Sequence, residues 1–469
     1  MNNPFVNLIV EFYEYLFQVH ANIIFRNILK YMCMLNDTIC AISTALKDGA
    51  ISIVRMSGDD SFSIIKKISD VKKIEPNTIV YSHIKDEGEV IDEVLISFFN
   101  KGKSYTLEDM VEINCHGGVY VTRLILNLLL KNGCRLAEPG EFTKRAYLNG
   151  RIDLSVADSV NDLIKAQSAI QAKSAIRGVS GSIERLLNPL MDEMKDIISM
   201  IEVNIDYPEY EDEVQMSNEV IKPHVKNWID KCEEMIDKAE RFRVVKDGIN
   251  TVIIGKPNVG KSSLLNALLE KDKAIVTDIA GTTRDLVEGK VNLKNITLNL
   301  IDTAGIRDNA ETIEKIGIEK SLKAADEAEL IILVLDSSDI NEEDKKLMER
   351  FKDRNLLVVY NKADLNKTGE ISISAKNNEI SSLVDYLNDK YASDISLVDE
   401  DILNNERQIA LMKKCLEELK QMYVNIDYDS TDIVVTNLDS AFHYLCQILG
   451  KEYQEDLIDH MFRNFCLGK

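Results

Sequence analysis

The 469-residue chain has no run of about 18 uncharged apolar residues, so a membrane-spanning helix is not expected. A basic excess is also missing. Lys and Arg number 56 against 78 Asp and Glu, for a net charge of −22, which argues against basic patches coating the surface for non-specific nucleic-acid binding, though not against one local basic groove. Close cysteine pairs are absent. Cys33, Cys40, Cys115, Cys134, Cys232, Cys415, Cys446 and Cys466 are scattered with no C-x-x-C spacing, so reduced thiols in a cytoplasmic protein are expected rather than a zinc or redox centre. Proline is scarce, with seven in all and none after Pro257. What is present is ordinary for a folded chain. Hydrophobic residues at 45% and charged residues at 29% exclude disorder as the main state, and the length suits two to four domains.

The first 33 residues differ from the rest. Only Glu11, Glu14, Arg26 and Lys30 are charged there. The apolar run is broken by Glu11 and Glu14 and lacks a basic leader, unlike a signal peptide. One reading is an amphipathic helix lying on a membrane or partner. The other, and the one expected, is that translation begins at Met34 or Met32.

Residues 34–149 mix alternating β-type runs, Ile51–Arg55 and Met110–Asn114, with a helical pattern over Val119–Leu130, which predicts an α+β domain. From Arg151 to about Lys246 the pattern is helical. Leu154, Ala157, Val160, Leu163 and Ile164 form one apolar stripe, with Asp153 or Ser155 as the cap. The run breaks around Asp206-Tyr207-Pro208-Glu209. Residues 405–469 are helical again, with Leu438, Ala441, Leu445, Ile448 and Leu449 on one face. A β/α alternation lies between. The expected organisation is therefore multidomain: an atypical extension over 1–33, an N-terminal α+β domain over 34–149, an all-α domain in two parts, 150–247 and 405–469, and an α/β module inserted at 248–404. Such an insertion is easy when the guest's termini lie close together.

The strongest local signal is Gly255-Lys256-Pro257-Asn258-Val259-Gly260-Lys261-Ser262, between an apolar strand, Thr251–Ile254, and a helix, Ser263–Leu269. This is G-x-x-x-x-G-K-[ST] in its strand–loop–helix setting. The glycines let backbone amides turn around phosphate oxygens, Lys261 supplies a point charge, Ser262 can ligate magnesium, and the helix N-terminus adds its dipole. Three further elements follow in order. Asp302-Thr303-Ala304-Gly305 ends the run Ile296–Ile301; its acid can hold magnesium through water and its glycine amide can sense the γ-phosphate. Asn361-Lys362-Ala363-Asp364 ends Leu356–Tyr360, and a carboxylate there accepts two hydrogen bonds from a guanine edge that adenine cannot donate. Ser374-Ala375-Lys376, expected to end another strand, presents a backbone amide to the guanine oxygen. Together these predict a guanine-nucleotide site of the Ras-like P-loop class. The position after Asp302–Gly305 is Ile306, which cannot orient water as glutamine does in the best-known switch GTPases. Asp308, Glu311 and Glu314 are the nearby acids, Arg284 and Arg307 flank the site, and no cis arginine finger is evident.

These segments, with others, resemble the tRNA uridine-5-carboxymethylaminomethyl modification GTPases, the MnmE or TrmE family. The shared stretches are Thr277-Asp278-Ile279-Ala280-Gly281-Thr282-Thr283-Arg284-Asp285; Asp302 to Arg307, continuing to Glu314 and Ile316-Gly317-Ile318-Glu319; the terminal Cys466-Leu467-Gly468-Lys469; and, in the first module, Arg55–Gly58, Glu112 with His116-Gly117-Gly118, Pro139–Thr143 and Asn149–Leu154. The resemblance runs from about Asn36 to Lys469 and leaves out the atypical extension.

The resemblance implies a potassium ion in place of an arginine finger, held by Asn258, Thr277, Ile279 and Thr282, with magnesium on Ser262 and Thr283. It implies Glu314 as the water-positioning carboxylate, catalytic together with Lys261. The nucleotide contacts would be Asn258–Ser263, Thr277–Thr283, Asp302, Thr303, Ala304, Gly305, Asn361, Lys362, Ala363, Asp364, Ser374 and Ala375. The first module would bind 5-formyl- or methylene-tetrahydrofolate and dimerise, with Glu112 gripping the pterin and Arg55, Arg151 and Lys469 as further contacts. The family usually has lysine at Arg151, which keeps the charge but changes the geometry. Lys469 could take part only if the last helix delivers the chain end to the first module, expected across a dimer. Cys466 stands as either a nucleophile or a structural thiol. The implied activity is GTP hydrolysis coupled to modification of the wobble uridine of certain tRNAs by a homodimer, in a heterotetramer with a flavin-dependent protein. FAD would be held by that partner alone, since this chain shows no G-x-G-x-x-G after a strand. A cytoplasmic location without stable membrane association goes with it. The alternative is a ribosome-assembly or other nucleotide-gated RNA-binding GTPase, against which the acidic cluster Glu209–Glu213 argues.

Overall fold

The computed structural model describes residues 37–206, 217–271, 287–293, 296–301 and 324–451, together with Ile458, Met461, Phe462, Phe465 and Gly468. The chain divides into two units, residues 1–157 with 452–469 and residues 158–451.

In the first unit the strands are β1 (Ile39–Ile42), β2 (Ile51–Ser57), β3 (Thr78–Asp86), β4 (Glu89–Phe99), β5 (Met110–His116) and β6 (Arg135–Leu136). They form one sheet in the order β3-β4-β5-β2-β1-β6, antiparallel except for β1 and β6. The β3–β4 turn is two residues, Glu87 at φ +49° and Gly88 at φ +93°, the left-handed pair that matches strand twist. Alternation then sets the two faces. Val54 and Met56 on β2 and Val111, Ile113 and Cys115 on β5 are buried with Ile64, Ile65, Ile125 and Leu129 of the helices Ser61–Ile68 and Val119–Lys131. The opposite face carries Arg55 and Glu112, direct neighbours across β2 and β5. Asp153 caps the helix Leu154–Lys165 by accepting from Val156 N at 2.8 Å. Near the chain end, Ile458, Phe462 and Phe465 pack with Leu154 and Ala157.

In the second unit the helices Ser182–Asp206, Asn218–Asp247, Glu406–Asn425 and Thr431–Leu449 share one core, including Leu190, Met194, Val225, Trp228, Met412, Leu419, Leu438 and Leu445. The stripe Leu438, Ala441, Leu445, Ile448 and Leu449 lies in this core, so two distant stretches of chain close one helical domain; the stripe that begins at Leu154 does not join it, since Leu154 and Ala157 pack with Ile458, Phe462 and Phe465 while Leu163 and Ile164 are exposed. Between them lie β7 (Ile249–Ile254), β8 (Val287–Leu293), β9 (Ile296–Ile301), β10 (Leu330–Asp336) and β11 (Leu356–Asn361), ordered β11-β10-β7-β9-β8. All neighbours are parallel except β8 and β9. Leu330 to Leu335 are buried without alternation, as a parallel strand covered on both faces requires.

One expected element differs. The segment before Ser374 is not a strand; it makes single bridges, Tyr360 with Ser372 and Ser374 with Glu379, and passes into a short turn of helix at Ala375–Asn377. Only the pair Tyr360 N to Ile371 O and Ile373 N to Tyr360 O, each 2.8 Å, ties it to β11.

Candidate functional site: a phosphate loop and a guanine-side pocket

β7 delivers the loop Gly255–Gly260 at the C-terminal edge of the sheet, where open α/β sheets bind ligands. Gly255 has φ +146°, and a Cβ there would stand 2.3 Å from Val334 O. Gly260 has φ +95°, and its Cβ would stand 2.1 Å from Asn361 Nδ2. Only glycine fits either place. Asn258 takes the left-handed φ of +60°, which asparagine tolerates better than most residues. Val259 is buried and pins the loop, and the helix Lys261–Lys271 begins with Leu264 N donating to Gly260 O at 2.9 Å. Lys261 Nζ folds back across the loop to Gly255 O at 2.9 Å and Lys256 O at 2.7 Å. Ser262 and Ser263 are exposed at the helix start.

β11 brings the second half. Asn361 is 3% exposed and joins the two loops: its Nδ2 donates to Val259 O at 2.8 Å, and its Oδ1 accepts from Ala375 N at 3.0 Å. Ser374 Oγ donates to Asp364 Oδ1 at 2.7 Å and so orients the carboxylate. Lys362, at φ +63°, pairs with Asp336 Oδ2 at 2.5 Å. Burial raises the Asp336 carboxyl, but Lys362 and the Ser338 N–H outweigh it and hold it below its ordinary value. Ala363 N donates to Ile373 O at 2.9 Å. Thus Val259, Gly260, Asn361, Asp364, Ser374 and Ala375 converge at one edge of the sheet. Sequence reasoning did not find the anchors Asp336 and Asp344. Asp344, fully buried, pairs with Lys256 Nζ at 2.7 Å and holds the loop's second residue. Asp344 also closes a capping box with Asn341, accepting from the Asn341 N–H at 3.0 Å, a local signal that sequence reasoning could have used; Asp336 has none. Thr277–Thr283, Asp302–Gly305, Ile306, Glu314, Cys466 and Lys469 lie outside the described residues; Asp302 follows directly on β9.

The first unit has its own polar cluster. Arg55 Nε and Nη2 both meet Glu112 Oε1, at 2.9 and 2.7 Å. The guanidinium lies 5.6 Å from the Phe142 ring centre and 5.9 Å from that of Tyr105. Arg151 stacks over Tyr105 at 4.8 Å and donates to its carbonyl oxygen at 3.2 Å. Gly468 O accepts from Arg55 Nη1 at 3.2 Å and Ser43 Oγ at 3.1 Å. Gly468 therefore meets this cluster within the same chain. Gly468 has φ +87°, and a Cβ there would meet Ile42 O at 2.3 Å. Tyr105 and Phe142 were missed as members; Phe142 sits in a quoted block, and Tyr105 has no signal of its own. The six described cysteines, Cys40, Cys115, Cys134, Cys232, Cys415 and Cys446, are all buried.

A P-loop module set into a helical domain, in a chain that also carries an α+β domain, defines a multidomain GTPase. The description "GTP-binding protein TrmE N-terminus" fits residues 38–151, and "MnmE helical domain" fits residues 154–466. Proteins called tRNA modification GTPase MnmE are similar along nearly their full length. The one from Streptococcus gordonii is 43% identical over 451 residues, 92% of this chain and 99% of that protein. That of Streptococcus thermophilus is 42% identical over 449 residues, 92% of this chain and 98% of that protein. Lactococcus lactis has one 42% identical over 448 residues, with the same coverage of 92% and 98%. Among solved structures, the G domain of the FeoB iron transporter of T. maritima covers 31% of this chain and 98% of its own at 28% identity, with a TM-score of 0.22. The chain belongs to the MnmE family of tRNA modification GTPases.

Proposed function

We propose that this GTPase is activated by potassium and, with a flavin-dependent partner, adds a carboxymethylaminomethyl or aminomethyl group to the 5-position of the wobble uridine of certain tRNAs, drawing a one-carbon unit from a tetrahydrofolate. Hydrolysis would drive pairing and separation of two G modules in a homodimer, in the cytoplasm. The observation that carries the reading is the joining of phosphate loop and guanine-side loop through Asn361, in a chain of this family. Among the described residues no helix is long and apolar enough to cross a membrane.

The residues suit their parts. Backbone amides of 258–263 would face the phosphates, and Lys261 would exchange carbonyl partners such as Gly255 O and Lys256 O for phosphate oxygens. The exposed Asn258 amide and Ser262 hydroxyl offer hard oxygen ligands, which suit potassium and magnesium. Such cations, when bound, offset charge on the phosphates. Asp364, held by Ser374, accepts from guanine; Glu314 would position the attacking water. In the first unit Glu112 would accept the pterin's exocyclic amine and ring N–H, with Arg55, Arg151 and Lys469 around the rest and Tyr105 and Phe142 offering ring faces.

Replacing sodium by potassium should raise the GTP hydrolysis rate about tenfold or more, and Asn258→Ala should blunt the response. Equal rates in both salts would remove the potassium assignment.

A further inference from the structure

β9 is apolar apart from Thr297 and Asn299, which point to one side and are 8% and 7% exposed. Thr297 is satisfied locally, donating to Asn292 Oδ1 at 2.8 Å. Asn299 instead reaches the end of the long helix Asn218–Asp247. Its Nδ2 lies 3.1 Å from both Asp247 O and Gly248 O, and 3.3 Å from Asn250 Oδ1. Gly248 has φ +94°, and a Cβ there would stand 2.9 Å from the Asn299 amide, so strand and helix end meet with no room for a side chain. The amide cannot be turned over, because its oxygen would then face two carbonyl oxygens. As it stands, Oδ1 is buried without a hydrogen-bond partner among the described residues, a cost that an apolar side chain would avoid.

Two more bonds reinforce this joint. Gln171 Nε2 donates to Lys246 O at 2.8 Å, and Lys290 Nζ on β8 donates to Gln167 Oε1 at 3.1 Å. Lys246 Nζ in turn holds Asp162 at 2.9 Å and Asn404 O at 2.5 Å, which brings in both parts of the helical domain. On the other side the joint sits on the two strands that lead to the phosphates. Asn299 pairs in register with Asn250 on β7, the strand that runs into Gly255, and β9 runs on into Asp302.

We propose that Asn299 is the positioning residue through which the nucleotide state of the G module reaches the 218–247 helix. This goes beyond the proposed function and rests only on the chain being a GTPase. The two N–H groups of this amide are shared among three oxygens, Asp247 O, Gly248 O and Asn250 Oδ1, so a slight movement of β9 can exchange one acceptor for another, and the helix end then follows. Packed elements convert small displacements into discrete ones in this way.

The test is hydrogen exchange, read by mass spectrometry, on the full chain with GDP and with a non-hydrolysable GTP analogue. In the unsubstituted chain, exchange at 240–250 should differ about tenfold between the two nucleotides. In Asn299→Ala the difference should fall below about twofold, while nucleotide affinity stays within about threefold. A merely structural residue would alter stability without removing the nucleotide dependence. The proposal is overturned if the difference survives in Asn299→Ala, or if the unsubstituted chain shows none at 240–250. Should Asn299→Ala fail to fold, Gln171→Ala with Lys290→Ala, at half-buried and exposed positions, carries the test: the difference should shrink about threefold, and an undiminished one overturns the proposal. Failure of the chain to bind either nucleotide would be a separate result, directed at the GTPase assignment itself.

Discussion

The phosphate loop and the Arg55–Glu112 cluster solve the problem of holding polar groups in opposite ways. The loop is eight consecutive residues whose backbone carries the function, and glycines at Gly255 and Gly260 permit approach to Val334 and Asn361 that no other residue allows. Long-range contacts complete it, among them the bond from Asn361 to Val259, residues 102 apart, and the pairing of Lys256 with the buried Asp344. The cluster on the first sheet has almost no local part. Arg55 and Glu112 are 57 residues apart, and Arg55 and Gly468 are 413 apart. Side chains, not backbone, do its work. A site built on backbone tolerates change in most side chains but not in its glycines; a site built on side chains is sensitive at each charged member.

The largest expected effect comes from removing Lys261, one of the loop's two lysines. Lys261→Ala should lower GTP hydrolysis at least about 100-fold, measured as single-turnover phosphate release. An effect below tenfold would mean that the backbone alone suffices. Glu314→Ala sharpens the point: hydrolysis should fall about 100-fold while nucleotide affinity is kept, and parallel loss of binding would make the residue structural. In the first unit, Glu112→Ala should weaken saturable tetrahydrofolate binding about 10- to 100-fold by calorimetry, since charge-assisted bonds are lost. No saturable binding by the unsubstituted chain would instead favour an RNA-binding GTPase without modification activity.

The smallest effect separates the two units by pH. Burial raises Asp37 and Glu141 in the first unit, but Arg135 and Arg145 outweigh it for Asp37, as Arg135 and the Glu138 N–H do for Glu141, and both end below their ordinary values. Their stabilisation is present above the unfolded-state values and is lost as pH falls through the lowered ones. In the second unit, burial keeps Asp158 above its ordinary value despite Arg407, and Asp247 likewise despite Lys246 and Arg243. Their contribution has the opposite sign: it is present below the unfolded-state values and lost as pH rises through the raised ones. Acidification from pH 6 toward about 3 should therefore loosen residues 37–157 before 158–451, seen as earlier hydrogen exchange, and Asp37→Asn should narrow the gap. Simultaneous loosening would contradict this.

These differences also explain what could be read in advance. The three kinds of module were legible because each has a repeating signal: alternation on β2 and β5, a helical stripe from Leu438 to Leu449, and the apolar strands β7, β9 and β11 before three of the loops. The short segment before Ser374 was misjudged as a strand, since Ile371 and Ile373 alternate as a strand would, yet only one pair of bonds forms. Tyr105, Phe142 and Asp336 were not legible, because each acts through a partner far off in sequence; Asp344 was legible only as the N3 member of the capping box at Asn341, not as the partner of Lys256. The delivery of Gly468 to Arg55 within one chain could be known only from three dimensions.

The central claim concerns tRNA, and the most direct measurement is mass-spectrometric analysis of wobble uridines from cells lacking this chain, with the intact chain or Lys261→Ala restored. The account predicts unmodified position 5 in the deletion, recovery with the intact chain, and none with Lys261→Ala. Full modification in the deletion strain would contradict it.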